Sequence, residues 1–270
     1  MPNQAELRLH TRFRSARLDG TRTLAVLLPP GYEKERLRRY PVLYMQDGQN
    51  LFAATSPLGK DWRLDETVPA LIASGAIEPL IIAGLFHGGE KRIEELTPTK
   101  DAREEVGGGA TAYERVLLED VMPFVRAHYR ARTGPAATGI GGSSLGGLFA
   151  LWVALRHPRT FGRVAAFSPS AWWDRRRIVR IVRSVRERPP LKVWLSVGTS
   201  EGRSGAPAVR GLRDAMLGAG WMLGRDMRYH EERGGGHDEE AWASVVEPAM
   251  RFLYPVRKDE PGDLGGLERL

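Results

Sequence analysis

One stretch of nine residues limits the fold of this chain more than any other: GIGGSSLGG at positions 139–147. It lies between a strand-like segment, residues 136–140, and an apolar helix-like segment, residues 148–155, with no loop to separate them. A strand that turns at once into a helix has room only for glycine on either side of the apex. Gly142 and Gly146 stand two residues before and two after Ser144, so G-x-S-x-G is met with the serine at the strained corner. The hydroxyl then projects above a sheet edge, and the amide of Leu145 opens a helix and can meet a developing negative charge. The rival reading of such glycines is a phosphate-binding turn. That needs G-x-G-x-x-G in the first strand–helix unit and an acidic residue about 20 positions on. Gly139, Gly141 and Gly142 fall late in the chain, and no such partner stands out. The stretch reads as a serine nucleophile.

The rest of the sequence supplies the sheet that this turn requires. Short runs rich in Val, Leu and Ile occur at 23–28, 41–45, 80–86, 136–140, 164–167, 191–197 and 227–231. Their length and their Pro and Gly boundaries suit strands buried on both faces. Segments with helical spacing alternate with them, at 64–74, 113–129, 145–157, 175–186, 208–217 and 239–253. Alternation of this kind predicts a mostly parallel α/β sheet covered on both faces. A length of 270 residues, 42% hydrophobic and 27% charged, suits one domain. The expected limits are 1–254 for the domain and 255–270 for a frayed tail. No run of 18 apolar residues crosses a membrane, and the first residues lack a signal-peptide profile, so the cytoplasm is the expected location.

A serine hydroxyl is a weak nucleophile until a base takes its proton, and an imidazole base needs a carboxylate to fix its tautomer. The chain order expected around this type of turn is serine, acid, histidine. Three histidines follow Ser144. His157 ends a helix before Pro158, where a cation complements the helix dipole. His230 lies within strand-like MRYHEE. His237 follows three glycines and precedes a helix, on the loop after the last strand, and is the expected base. Glu201, in the loop after the strand-like run ending at Val197, is the expected acid; Asp174, one loop earlier, is the second candidate. The chain has no cysteine, which removes disulfides, thiolate metal sites and a cysteine nucleophile.

The second oxyanion donor is expected from the loop after the third strand, which reads YMQDGQNLF at 44–52. With that loop the chain resembles the Putative esterase family of α/β-hydrolases, which includes enterochelin esterases, S-formylglutathione hydrolases, feruloyl esterases and mycolyltransferases. The resemblance rests on LPPGY (28–32), YPVLYMQDGQNLF (40–52), RIEELTP (92–98), GGSSLGG (141–147), FSPSAWW (167–173), GTSE (198–201) and His237 with Trp242. It covers about residues 10–253. It implies an α/β-hydrolase fold without a large cap and the enterochelin-esterase-like branch. Carried over, the family's nucleophile falls on Ser144, its acid on Glu201, its base on His237, and its oxyanion amides on Leu145 and Gln49. The implied reaction is ester hydrolysis through an acyl-enzyme, with no metal or cofactor.

Around this centre, Trp62, Trp172, Trp173 and His87 are the candidate substrate-lining residues. Arg92 and Glu95 are expected to pair with each other and brace their loop, and Tyr113 is the candidate for a short cap. The net charge of +7 first suggests nucleic acid. Yet the arginines at 175, 176, 177, 180, 183 and 186 interleave with Ile178, Val179, Ile181, Val182 and Val185, the pattern of a solvated helix face packed by its other side. The expected partner is a small-molecule ester, with at most a preference for anionic ones, and neither nucleic acid nor membrane. Acyl transfer on the same residues, or a silent binding protein on the same scaffold, are the competing readings.

Overall fold

Residues 42–45 show how the sheet is made: Val42 and Tyr44 turn to one face, Leu43 and Met45 to the other, and all four are buried. The computed structural model describes residues 4–256 apart from Asp19 and Leu58. Its strands are β1 (Glu6–Arg14), β2 (Thr21–Leu28), β3 (Val42–Met45), β4 (Ile81–Leu85), β5 (Thr138–Ser143), β6 (Arg163–Phe167), β7 (Lys192–Gly198) and β8 (Met227–Glu232). They form one sheet in the order β1-β2-β4-β3-β5-β6-β7-β8. β2 runs antiparallel to both neighbours, and β3 to β8 all run parallel.

A parallel sheet apolar on both sides must be covered twice. The helices are α1 (Leu64–Ala73), α2 (Arg92–Leu96), α3 (Ala110–Arg115), α4 (Met122–His128), α5 (Leu145–Arg156), α6 (Trp173–Arg183), α7 (Gly202–Gly218), α8 (Glu239–Ser244) and α9 (Val246–Leu253). Helices α3 to α7 join the core on the Val42/Tyr44 face. Helices α1, α8 and α9 close the Leu43/Met45 face. α5 is buried on almost every side, as a central helix must be. This is the α/β-hydrolase fold that the alternation and the resemblance predict.

Local departures have local causes. β1 has no counterpart among the expected strands, because its apolar residues alternate with Glu6, Arg8, His10 and Arg12; it is an edge strand held only by β2. The segment 113–129 passes from α3 to α4 through a π-helical turn at Val116–Val121. The segment 239–253 is two helices rather than one: Pro248 has no N–H to give the carbonyl of Ser244, so the helix restarts after Val245. Tyr113 is no part of a cap; it is buried against Phe149, ring centroids 5.1 Å apart. The expected tail lies outside the described residues from position 257 onward.

At the N-terminal edge of the parallel strands, Glu78 is buried and accepts from Arg163 Nη1 at 2.7 Å and Arg132 Nη2 at 3.2 Å. Arg163 also lies over the ring of Tyr254, 4.3 Å from its centroid, so β6 and the end of α9 share one clamp. Removing one partner of a buried pair leaves the other charge uncompensated. Glu78→Ala is expected to destabilise the domain by about 3 kcal/mol, read as a lower urea midpoint; an unchanged midpoint refutes the clamp.

Candidate active site

The loops that leave the C-terminal ends of β3 to β8 gather at one edge of the sheet, and each expected site residue is on one of them. At the end of β5 the turn demanded by the glycines is present: Ser144 has φ 55° and ψ −122°, a strained conformation for a residue with a side chain. A Cβ on Gly142 would approach the carbonyl carbon of Gly146 to 2.8 Å, and one on Gly146 would press on Gln46 Cβ at 2.9 Å. The start of α5 therefore lies against the exit of β3. The amide of Ser144 donates to Phe167 O at 3.0 Å, and its own carbonyl accepts from Leu148 and Ser170. Both anchors hold the corner in shape.

Ser144 Oγ lies 2.9 Å from His237 Nε2, and His237 Nδ1 lies 2.9 Å from Glu201 Oε2. The carboxylate is 2% exposed and the imidazole 42%, so Glu201 is enclosed while His237 meets solvent. Oε1 of Glu201 accepts from the amide of Gly198 at 2.7 Å and from the hydroxyl of Ser168. The loops carrying Glu201 and His237 lie backbone to backbone. Ser200 N–H donates to Gly235 O at 3.0 Å, and a Cβ on Gly198 would strike that same carbonyl at 2.2 Å. Asp238 then caps α8 by accepting from Ala241 N–H, which fixes where the loop of His237 ends.

Gln49 is buried in the short 3₁₀ turn after β3. That turn is reached through Asp47 in the left-handed region (φ 56°, ψ 49°), which aspartate tolerates better than most residues. Gly48 lies on the backbone of β4, where a Cβ would be 2.4 Å from Gly84 O. Arg92 grips Asp47 with two parallel bonds of 2.8 Å, Nε to Oδ1 and Nη2 to Oδ2. Burial alone favours a neutral arginine here, but the bonds to Asp47 outweigh it and raise the Arg92 pKa above its ordinary value. Asn50 Nδ2 donates to Glu239 Oε1 at 3.0 Å, tying this loop to the helix after His237. Among the described residues no cluster of three or more His, Asp or Glu gathers to hold a metal, and no helix is long and apolar enough to cross a membrane.

The remaining expectations fare differently. Arg92 and Glu95 do not pair with each other: Arg92 takes Asp47, and Glu95 accepts from Arg22 Nη2 at 2.8 Å and from Gly88 N–H. Arg92 and Glu95 are one turn apart on a short helix, yet each is taken by a stronger partner outside it. Trp62 is 2% exposed and packs between Phe167 and Trp242, so it belongs to the core rather than to a pocket wall. Trp173 is also buried, with Nε1 donating to Thr99 O at 2.8 Å; Trp172 beside it is 44% exposed. Asp174, the second candidate acid, accepts from Thr99 Oγ1, and its backbone N–H donates to Asp101. It begins a left-handed turn through Arg176 (φ 42°, 54° and 61°). His87 is half-buried, which pushes its pKa down, and its Nδ1 accepts from Gly89 N–H at 2.9 Å; the neutral ring then carries its proton on Nε2.

Sequence reasoning gives the brace Arg92 the wrong partner and does not single out Ser168. Asp47 and Arg92 are 45 positions apart, and no local pattern links them. Ser168 was within reach, as a polar residue immediately after a buried strand.

The model of the family described as Putative esterase matches residues 15–253. Uncharacterized protein YbbA of Bacillus subtilis (strain 168) is 28% identical over 189 residues, 68% of this chain and 70% of that protein. The iron(III) salmochelin esterase of Escherichia coli O6:H1 is 28% identical over 233 residues, 78% of this chain, but the match spans about half of that protein, 53%. Among solved structures a ferulic acid esterase superposes with a TM-score of 0.73 at 21% identity, covering 93% of this chain and 98% of that one; a likeness at this identity speaks for the fold. Fold, loop order and matched residues together make this chain a member of the Putative esterase family.

Proposed function

We propose that the chain is a serine carboxylic-ester hydrolase in which Ser144, His237 and Glu201 act through an acyl-enzyme. The observation that carries this reading is the unbroken path of two 2.9 Å contacts from Ser144 Oγ through His237 to Glu201 Oε2. His237 donates from Nδ1 to Glu201 and so presents a free lone pair on Nε2 to the serine. Ser144 Oγ attacks the ester carbonyl carbon as its proton passes to Nε2. The carbonyl π pair moves onto oxygen, which the N–H groups of Leu145 and Gln49 receive. Collapse expels the alcohol oxygen, and Nε2 returns the proton to it. Water repeats the cycle on the acyl-serine, releasing the acid and restoring the hydroxyl.

Leu145 supports its part as the first residue of α5, where helix amides are unpaired and the dipole favours an anion. Gln49 supports its part by position: the Asp47–Arg92 bonds and the Gly48–Gly84 contact fix the turn that carries it. The family and the salmochelin and ferulic acid esterases favour small esters, and the exposed Trp172, two residues beyond Ser170, offers an aryl group a stacking face. Ser170 Oγ itself is 3.3 Å from Ser144 Oγ, which places this loop beside the nucleophile.

Three outcomes test the reading. Hydrolysis of p-nitrophenyl acetate and butyrate should fall by roughly 10⁴-fold or more in Ser144→Ala and by about 10³- to 10⁴-fold in Glu201→Gln. Near-native turnover in either variant refutes the triad. Gly48→Ala should lower kcat by about 100-fold with little change in KM, the usual cost of one lost oxyanion donor; unaltered kcat removes Gln49 from the mechanism. Trp172→Ala should raise KM for aryl esters by about 2- to 10-fold at constant kcat, the worth of one aromatic contact. An unchanged KM takes Trp172 out of the pocket.

A further inference from the structure

Ser168 is the first residue after β6, and four features of it have no place in the mechanism above. It is buried. Its φ is 42°, a region that favours glycine over any residue with a Cβ. Its backbone is fixed there by its N–H, which donates to Ser196 O at 2.8 Å. Its hydroxyl sits between Glu201 Oε1 and Trp242 Nε1, the latter at 3.0 Å.

The direction of that chain follows from donor inventory. An indole N–H only donates, so it takes a lone pair of Ser168 Oγ, and the single hydroxyl proton is left for the carboxylate. Gly198 N–H adds a second donor to the same oxygen. Oε1 is thereby filled, and Oε2 faces His237 Nδ1. A carboxylate with one oxygen unheld could turn about its last bond and lose its aim at the imidazole. Trp242 also touches the other end of the pair: its ring meets that of His237 edge to face, centroids 5.2 Å apart at 84°.

We infer that Ser168 and Trp242 are positioning residues, an N–H to O–H to carboxylate chain that holds Glu201 and His237 in register; this rests on the triad reading above. The strained serine is kept because the relaxed alternative, glycine, has no hydroxyl.

That alternative also supplies the test. Ser168→Gly removes the hydroxyl while easing the backbone. Loss of one hydrogen bond to a charged group predicts a fall in kcat of about 10- to 100-fold, with KM within about twofold. Trp242→Phe keeps a ring against His237 and removes the N–H, and should cost less. Because the N–H acts only through Ser168, the double variant should be no slower than Ser168→Gly, within about twofold. A Ser168→Gly enzyme within twofold of the wild-type kcat, a loss expressed in KM instead, or single-variant losses that multiply in the double each overturn the inference. Ser144→Ala, run in parallel, separates the two readings. If it hydrolyses ester as fast as wild type, the triad itself fails. If it is dead while Ser168→Gly is unaffected, only the positioning chain fails.

Discussion

Everything at the active edge depends on how closely two backbones can approach at the end of β5. The strand turns into α5 at Ser144, and the corner closes only because Gly142 and Gly146 have no side chains to separate them. The same closeness brings α5 onto the exit of β3, so the helix amides and the turn of Gln49 share one wall. A larger residue at either glycine would not merely strain the corner. It would move Ser144 and the loops of Leu145 and Gln49 relative to one another, and for the proposed mechanism a shift near 1 Å is enough to cost much of the rate.

The electrostatics follow from burial. Three carboxylates near the edge, Asp47, Glu95 and Glu201, are enclosed, and each is compensated differently. Asp47 and Glu95 are held by arginines, Arg92 and Arg22, and so can serve only as braces. Glu201 faces two neutral donors and an imidazole, and that difference is what the proposed triad requires, a carboxylate able to respond to charge on His237. A permanent cation at Glu201 would spend the carboxylate on a static pair.

Most of this arrangement is legible in the sequence. The turn at Ser144 is local and glycine-rich, and the strand and helix runs around it have the periods of their structures. Chain order picks out Glu201 and His237, which the fold brings into contact with each other and with Ser144. What was illegible is nonlocal or edge-like. β1 carries too many charges to look like a strand, because only one of its sides is paired. The partner of Arg92 lies on a different loop from Glu95, and helix spacing alone could not show that. The tryptophans divide by depth: Trp62 and Trp173 are interior and Trp172 is not, a difference set by the paths of their loops and not by residue type.

That path has one more consequence. Thr99 and Asp101 bind the first turn of α6 at three points: the indole of Trp173, the carboxylate of Asp174 and the amide of Asp174. The two segments on this side of Ser144 are thus a single cassette, though some 70 residues part them in the chain. Anyone grafting a new rim onto this scaffold must move both together. A transplant of either half alone strands a buried indole N–H and takes two side-chain bonds from a left-handed turn.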